Sequence, residues 1–438
     1  MIERKSIMKK FMILTVALAA LLCACGREAA PETTAAPVVT EAPTQAPTTE
    51  PTTVPTTEPA PVYRNPLTGV ILEEPFDRRI FGFTIGNTRD AFPHYGVSKA
   101  DILFESFVNG LTTRRFAMYS DVRQVDSIGG VRSMRIQWTD LCQGYDAIGV
   151  HAAGSGYVIG DMNSSGIDNI YAEQWDADFH YRDKERMKKG TSMEHCLYVR
   201  GADIVPYAES QGMRVTQDPD KDYGMQFSDT PSTLLGEKAD KVVITFKLSG
   251  RKKLTTMTYD PVSGSYTMAQ YEDIPMVDGI YDNTPELYKN VFALFVPYHS
   301  ESGIYHVAET VGEGQGYYAC NGRIIPIMWH RESNDSPFTF TTMDGQVLQQ
   351  GIGNNYIAIV TPDSLVEYED LGLPQSAEAE TEAAEAMAET AETQPAEEEN
   401  AETGAAEPAE TAAATEAKQE EPAETQETFD LSDVQVED

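Results

Sequence analysis

The spacing of apolar residues predicts strands and a helix between residues 80 and 151. Short apolar segments that read as strands are 80–87, 100–108, 115–119 and 146–151. In the second segment, Leu103, Glu105 and Phe107 lie on one face of the strand because side chains alternate along it. Between the third and fourth segments, apolar residues recur every three or four positions, which is typical of a helix: Val131, Met134, Trp138, Leu141 and Tyr145. Strands separated by a helix predict a mixed α/β sheet.

From about residue 241 the pattern changes to short strands joined by turns. Asn321-Gly322 lies between two apolar runs and is a strong hairpin signal, and Asp344-Gly345 lies in a similar setting. This pattern predicts a mostly antiparallel β domain. We therefore expect an N-terminal α/β domain over residues 63–220 and a C-terminal β domain over residues 240–370.

The two ends of the chain have compositions that cannot bury a core. Residues 25–62 are mostly Thr, Pro, Ala and Glu, and they predict an extended spacer that could reach on the order of 100 Å. Residues 376–438 form an Ala/Glu-rich tail with 21 acidic residues and one basic residue, Lys418. Prolines interrupt the tail and large apolar residues do not repeat in it, so we expect disorder there rather than helix.

The first 24 residues resemble the signal peptide of a lipoprotein. Two lysines, Lys9 and Lys10, precede an apolar stretch that is too short to span a bilayer comfortably. Ala24 stands just before Cys25, which matches a lipobox and makes Cys25 the expected site of lipid attachment. The alternative is an ordinary secreted protein. The lipobox therefore predicts a lipid-anchored protein on the extracytoplasmic face of the cell membrane.

Charge and cysteine content exclude several classes of function. The formal net charge is −36, and the foldable part remains acidic without the tail, which argues against nucleic-acid binding. After removal of the leader, Cys142, Cys196 and Cys320 remain besides Cys25, and their number and spacing do not suggest a disulfide framework. We expect buried thiols, no metal site and no cofactor.

Several motifs in a fixed order carry a resemblance to a known family. They are Asn65-Pro-Leu-Thr-Gly69, Ala100–Glu105, Thr113-Arg114, Gly130–Arg135, Asp146–His151, His195, Gly322–Trp329, Asp344-Gly345 and Ile357–Pro362. Together they resemble the YerB-like family of bacterial lipoproteins, a two-domain family of uncharacterised function, from Tyr63 to Tyr368. The sequence has Gly129-Gly130 where members usually have Gly-Pro, and Glu194-His195-Cys196 where they have Pro-His-Asn.

Three arginines form a candidate ligand site. Arg132 and Arg135 are three residues apart at the start of the predicted helix, and Arg114 lies on the neighbouring strand. Such a group suits a carboxylate or a phosphate. The alternative is a structural ion network in which these arginines pair with Asp101 and Glu105, because a charge in an apolar strand needs a partner.

Two histidines are candidate ligand-binding residues. His151 ends an apolar strand, at the position where open α/β sheets bind ligands, and His195 follows later in the chain. Together with Asp161 they could supply a general base or a metal site, although a hydrogen-bonded structural role for His151 is the alternative. No nucleophile motif accompanies them.

Two hypotheses follow. In the first, the protein is a tethered binding or scaffold protein for an anionic cell-envelope ligand or a protein partner. In the second, it is a cell-envelope hydrolase that uses His151 and His195 beside Glu105 or Asp101, with the three arginines holding the substrate. Convergence of these side chains on an open cleft with unpaired carboxylates would favour the second hypothesis.

Overall fold

The computed structural model describes residues 61–175, 177–271, 273–301 and 303–374. The predicted leader with Cys25, nearly all of the predicted spacer and the predicted acidic tail lie outside these ranges. Within them, no helix is long and apolar enough to cross a membrane. Cys142, Cys196 and Cys320 are buried free thiols, as expected.

The first half of the described chain alternates strands and short helices. Its elements are β1 Tyr63–Arg64, β2 Ile71–Leu72, β3 Phe81–Gly86, β4 Ile102–Asn109, β5 Thr112–Tyr119, β6 Ile128–Gly129, α1 Ile136–Gly144, β7 Ile148–His151, α2 Gly156–Ser164, β8 Asn169–Tyr171, β9 His180–Arg182, α3 Lys184–Lys188, β10 Leu197–Val199 and α4 Gly201–Ser210. Single 3₁₀ turns occur at Arg89–Ala91, Val97–Lys99, Val122–Gln124 and Met193–His195.

The second half consists of strands, apart from a 3₁₀ turn at Ser232–Leu235. Its strands are β11 Gln226–Ser228, β12 Glu237–Lys238, β13 Lys241–Leu248, β14 Arg251–Asp260, β15 Ser265–Gln270, β16 Ile274–Pro275, β17 Val277–Asp278, β18 Thr284–Pro285, β19 Leu287–Tyr288, β20 Asn290–Phe295, β21 Tyr298–Glu301, β22 Tyr305–Ala308, β23 Gly312–Cys320, β24 Arg323–Arg331, β25 Thr339–Thr342, β26 Gln349–Gly351, β27 Asn355–Val360 and β28 Leu365–Glu369. Asn321-Gly322 joins β23 to β24 in the predicted hairpin.

One central sheet contains strands from both halves, in the order β12-β24-β23-β20-β27-β4-β5-β3-β7-β8. The pairs β20–β27, β27–β4, β3–β7 and β7–β8 are parallel, and β4–β5 and β23–β24 are antiparallel. A mixed sheet with few helices, and mostly antiparallel strands in the second half, confirm the predicted fold class. The domain boundaries at 220 and 240 stay a prediction.

The two faces of the central sheet have separate hydrophobic cores. On the first face, Leu103 and Phe107 of β4 pack against a six-stranded sheet built around β13, β14 and β15, and Phe107 contacts Phe246 edge-on. On the second face, Phe116 of β5 stacks on Trp138 of α1 at 5.5 Å between ring centroids. We call these the sheet face and the helix face.

The predicted helix begins later than its apolar spacing suggests. Helix α1 spans Ile136–Gly144, whereas Val131 to Arg135 are not helical and Arg135 has an extended backbone. The backbone N–H of Val131 donates to Leu197 O, and that of Arg132 donates to Thr84 O. These bonds to neighbouring segments replace the helical ones, so tertiary contacts override the local periodicity here.

Candidate functional site

Adjacent arginines on β5 point to opposite faces of the central sheet. Arg115 lies opposite Glu105 of β4, and its side chain is on the sheet face. Arg114 lies opposite Ser106, and its side chain is on the helix face. Alternation along a strand makes this separation obligatory. The candidate residues therefore divide into two groups that the thickness of the sheet keeps apart.

Glu105 is the centre of a buried charge network between the two sheets. Its carboxylate accepts hydrogen bonds from Thr113 Oγ1 at 2.8 Å, Lys253 Nζ at 2.5 Å, Gln270 Nε2 at 2.8 Å and Tyr356 OH at 3.0 Å. Burial by itself would raise the pKa of Glu105, but the positive charges of Lys253 and Arg115 lower it to about 2. Glu105 is therefore ionised and fully satisfied.

Arg115 extends this network to a second carboxylate. Its NH1 donates to both oxygens of Glu286 at 3.0 and 2.9 Å, and Tyr288 OH donates to Glu286 Oε2 at 2.9 Å. Burial by itself would lower the pKa of Arg115, but the negative charge of Glu286 raises the pKa of Arg115 above its ordinary value. All four side chains of this network that carry formal charge, Glu105, Lys253, Arg115 and Glu286, are almost completely buried.

The sequence pattern indicated that Glu105 needs a partner, but it did not identify Lys253 or Arg115. The signal that was available is the strand alternation, which puts Arg115 and not Arg114 on the face of Glu105. Asp101, the other predicted acid, lies apart at the start of β4. It accepts hydrogen bonds from Ser120 N at 2.6 Å and Asn65 Nδ2 at 3.1 Å, and burial raises its pKa.

On the helix face, Arg114, Arg132 and Arg135 converge, and we call them the arginine cluster. Arg114 is 6% exposed, and its NH1 donates to Ser133 O at 2.6 Å. Arg135 donates to Met134 O at 2.8 Å, and its guanidinium lies over the ring of Tyr305 at 5.0 Å from the centroid. The non-helical segment before α1 thus brings Arg132 and Arg135 close to Arg114.

A loop that carries His195 borders the cluster. Arg132 NH1 lies 3.1 Å from His195 Nδ1, and its NH2 lies 3.1 Å from Glu194 Oε2. A guanidinium can only donate, so Nδ1 accepts and the neutral ring carries its proton on Nε2. Burial, and then the charge of Arg132, lower the pKa of His195, which favours that neutral form.

Glycines allow this loop to approach the sheet closely. A Cβ on Gly130 would lie 2.4 Å from His195 O, a distance that real Cβ atoms do not show. A Cβ on Gly86 would lie 3.0 Å from Cγ of Arg132 and 3.6 Å from His195 Nδ1. The absence of side chains at these two positions therefore leaves the space that Arg132 and His195 occupy.

The arginine cluster has more positive than negative charge. Burial, and then the neighbouring Arg135 and Arg132, keep the pKa of Arg114 well below its ordinary value. Burial also lowers the pKa of Arg132 and of Arg135. Within the described ranges, Glu194 is the carboxylate that pairs with the cluster, and its side chain is 57% exposed. One exposed carboxylate thus faces three arginines.

His151 forms its hydrogen bonds elsewhere. Its Nδ1 lies 3.1 Å from Ala153 O and its Nε2 lies 3.1 Å from Asn169 Oδ1, at the carboxyl end of β7. Burial lowers its pKa. The structure therefore brings Arg114, Arg132, Arg135 and His195 together. The side chains of Asp101, Glu105 and His151 form their hydrogen bonds with other residues. In the part of the chain that the structure describes, no group of three acidic, His or Cys side chains is arranged to hold a metal ion.

Comparison with known proteins gives matches over most of the described chain. A Bacillus subtilis (strain 168) protein named "Putative lipoprotein YerB" is 25% identical over 301 residues, which cover 68% of this chain and 86% of the relative. The crystal structure of the YerB protein from Bacillus subtilis superposes with a TM-score of 0.60 and 23% identity, covering 69% of this chain and 99% of that one.

Two family models match in sequence order. The model described as the N-terminal domain of a protein of unknown function, DUF3048, matches residues 67–214. The model for the C-terminal domain of the same family matches residues 243–357. The chain therefore belongs to the DUF3048 family, the family of YerB, as the ordered motifs predicted.

Proposed function

We propose that this chain is a membrane-anchored extracytoplasmic binding protein, and that its arginine cluster binds an anionic group of a cell-envelope ligand. The predicted lipid attachment at Cys25 and the lipoprotein name of the Bacillus subtilis relative support the anchored location. The anion has the chemistry of a carboxylate or a phosphate, because planar guanidinium groups bind both with paired hydrogen bonds.

The observation that carries the proposal is the excess of positive charge in the cluster. Arg114, Arg132 and Arg135 are partly or largely buried, and each has its pKa lowered by that burial. Holding like charges together out of water costs free energy unless an opposite charge joins them. A bound anion supplies that opposite charge, so anion binding explains why three arginines lie together.

Helix α1 adds to the attraction for an anion. The helix begins directly after Arg135, and among the described residues no side chain forms a capping hydrogen bond at its N-terminus. The positive end of the helix dipole therefore lies beside the cluster. An anion held there would interact with the helix as well as with the three guanidinium groups.

The geometry supports binding more than hydrolysis. The hydrolase hypothesis requires a free base near the arginines, but Glu105 and Asp101 accept hydrogen bonds elsewhere. His195 does border the cluster, yet its Nδ1 accepts from Arg132 and its Nε2 lies 3.4 Å from Glu194 Oε1. Taking up a substrate proton at Nδ1 would break the contact that holds Arg132.

A thermal-shift titration with inorganic phosphate and with citrate tests this proposal. A ligand at about 100 times its Kd stabilises the native state by about 2.7 kcal/mol, so the melting temperature should rise with anion concentration. We expect this rise for the native protein and its loss in the double variant Arg114→Gln/Arg132→Gln.

The matched control is Arg123→Gln, which removes one exposed arginine that is not part of the cluster. Arg123 is 41% exposed and pairs with Asp121 at 3.6 Å. This variant should keep the full response, and sodium chloride at the same ionic strength should give none. An equal rise in the double variant would show that the anions act elsewhere, and it would refute the proposal.

A further inference from the structure

A second positively charged surface lies at the tip of the β13–β14 hairpin. A groove of about 610 Å³ is lined there by residues 247–252 of the hairpin, by Tyr298 and by residues 361–363. We call it the hairpin groove. It belongs to the six-stranded sheet, and the arginine cluster lies on the other side of the central sheet, so the two sites are separate.

Cations face one another across this hairpin. Lys247 lies directly opposite Lys252, and Leu248 lies opposite Arg251. Like charges directly opposite on paired strands are destabilising. Arg251 and Lys252 are exposed, and the lining contributes one carboxylate, Asp363, which is exposed as well.

The other lysines of this hairpin have acidic partners. Lys241 lies 3.6 Å from Glu369, and Lys253 lies 2.5 Å from Glu105. Among the residues that the structure describes, no such ion pair joins Lys247, Arg251 or Lys252 to a carboxylate. The charge of the groove is therefore available to an anionic partner, in a chain whose formal net charge is −36.

We propose that the acidic C-terminal segment of the same chain, residues 375–438, binds in the hairpin groove. The segment has 21 acidic residues and one basic residue, so its charge complements the groove. A carboxylate between Lys247 and Lys252 relieves their repulsion. This proposal does not depend on the function assigned to the arginine cluster.

The point at which the segment starts puts the groove within its reach. Strand β28 runs antiparallel to β13, with Glu369 opposite Lys241, and the N–H groups of Leu371 and Leu373 donate to Asp240 Oδ2. From Lys241 to Lys247 the strand rises about 20 Å. The segment has 64 residues, and at up to about 3.3–3.6 Å per residue a chain of that length can span far more than this distance.

Attachment favours this segment over anions in solution. Covalent attachment raises the effective concentration of the segment at the groove, whereas a free anion must bind from bulk solution. Different acidic residues of the segment can occupy the groove in turn, so binding does not require one particular stretch of the segment. The contact is electrostatic, and high salt should weaken it because salt screens exposed charges.

Zero-length cross-linking of the full chain tests the proposal. A carbodiimide activates a carboxylate, which then forms an amide with a lysine amine while the carbodiimide leaves as a urea. We expect tail carboxylates to be joined to Lys247 and Lys252 several-fold more often than to Lys189, an exposed lysine elsewhere. Peptide mass spectrometry identifies the joined residues, and 0.5 M salt should remove the preference.

The variant Arg251→Glu keeps both lysines and reverses one charge of the groove. It should reduce the cross-links at Lys247 and Lys252 several-fold, whereas the control Arg123→Glu should leave them unchanged. Equal cross-linking of Lys189, or no change in Arg251→Glu, would overturn the proposal. It would also be overturned if tail cross-links were absent and vesicles containing phosphatidylglycerol bound the native protein but not Arg251→Glu.

Discussion

Arg114 and Arg115 are neighbours in the chain, but the central sheet gives them opposite electrostatic surroundings. Arg115 is joined to Glu286 and lies near Glu105 in a fully buried network whose charges balance. Arg114 makes one hydrogen bond, to Ser133 O, and otherwise faces two more arginines and one exposed glutamate. The same side chain thus serves as a structural link on one face and as part of a candidate site on the other.

The difference shows how a structural charge can be told from a functional one. A buried ion pair adds little net stability because both charges have left water, but removal of one partner is strongly destabilising because it leaves the other charge buried and alone. A cluster of like charges costs free energy to keep, and its removal should be tolerated. The two arginines should therefore respond differently to the same substitution.

The largest expected effect is the contrast between Arg115→Met and Arg114→Met. Arg115→Met leaves Glu286 without its guanidinium partner, so the free energy of unfolding should fall by about 3–5 kcal/mol. Arg114→Met loses one hydrogen bond but also relieves repulsion, so the change should stay within about 1 kcal/mol. Urea denaturation of both variants measures the difference.

The pair serves as its own control, since residue type, strand and substitution are identical. If Arg114→Met cost as much as Arg115→Met, the arginine cluster would be as structural as the buried network. If Arg115→Met cost less than about 1 kcal/mol, the balanced charges of that network would contribute no stability.

Part of this contrast was contained in the sequence. The alternation in β4 correctly placed Leu103, Glu105 and Phe107 on one face, and the same rule applied to β5 separates Arg114 from Arg115. The partners could not be predicted, because Lys253 is 148 residues from Glu105 and Glu286 is 171 residues from Arg115. Periodicity describes one strand and says nothing about which distant strand packs on it.

The arginine cluster was predicted as a group, but the predicted helix that was meant to hold Arg132 and Arg135 begins after them. Arg132 and Arg135 were expected at the start of the helix, but both precede α1 and neither is helical. Contacts far along the chain orient them, Arg132 through His195 and Arg135 through Tyr305. The grouping with Arg114 was therefore anticipated, whereas the expected pairing with Asp101 and Glu105 is absent from the ion pairs of the described residues.

A smaller effect concerns pH on the sheet face. The pKa of Glu105 is about 2 in the folded protein and near 4.5 when unperturbed, so the unfolded chain binds its proton first as the pH falls. The stability from Glu105 is then complete above about pH 4.5 and decreases towards pH 2, by up to about 3 kcal/mol.

This decrease in stability towards low pH can be measured by urea denaturation of the native protein and of Glu105→Gln at pH 7 and at pH 3. The stability difference between the two proteins should shrink at the lower pH, because the native protein loses the contribution of an ionised Glu105. A difference that grew or stayed constant would mean that Glu105 is not held in its ionised form. In contrast, the difference in free energy of unfolding between Arg114→Met and the native protein should be the same at pH 7 and at pH 3.

The smallest effect on stability, and the most specific for the helix face, is expected for Glu194→Gln. Glu194 is 57% exposed and pairs with Arg132 at 3.1 Å, and exposed ion pairs contribute about 0–1 kcal/mol. Its removal leaves the arginine cluster without its paired carboxylate and so removes a competitor for a bound anion. In a calorimetric titration, phosphate should therefore bind this variant several-fold more tightly than the native protein, while the melting temperature without phosphate changes little. Weaker phosphate binding would instead assign Glu194 a supporting role, in which it positions Arg132 for the ligand, and the cluster would then resemble the balanced network on the opposite face.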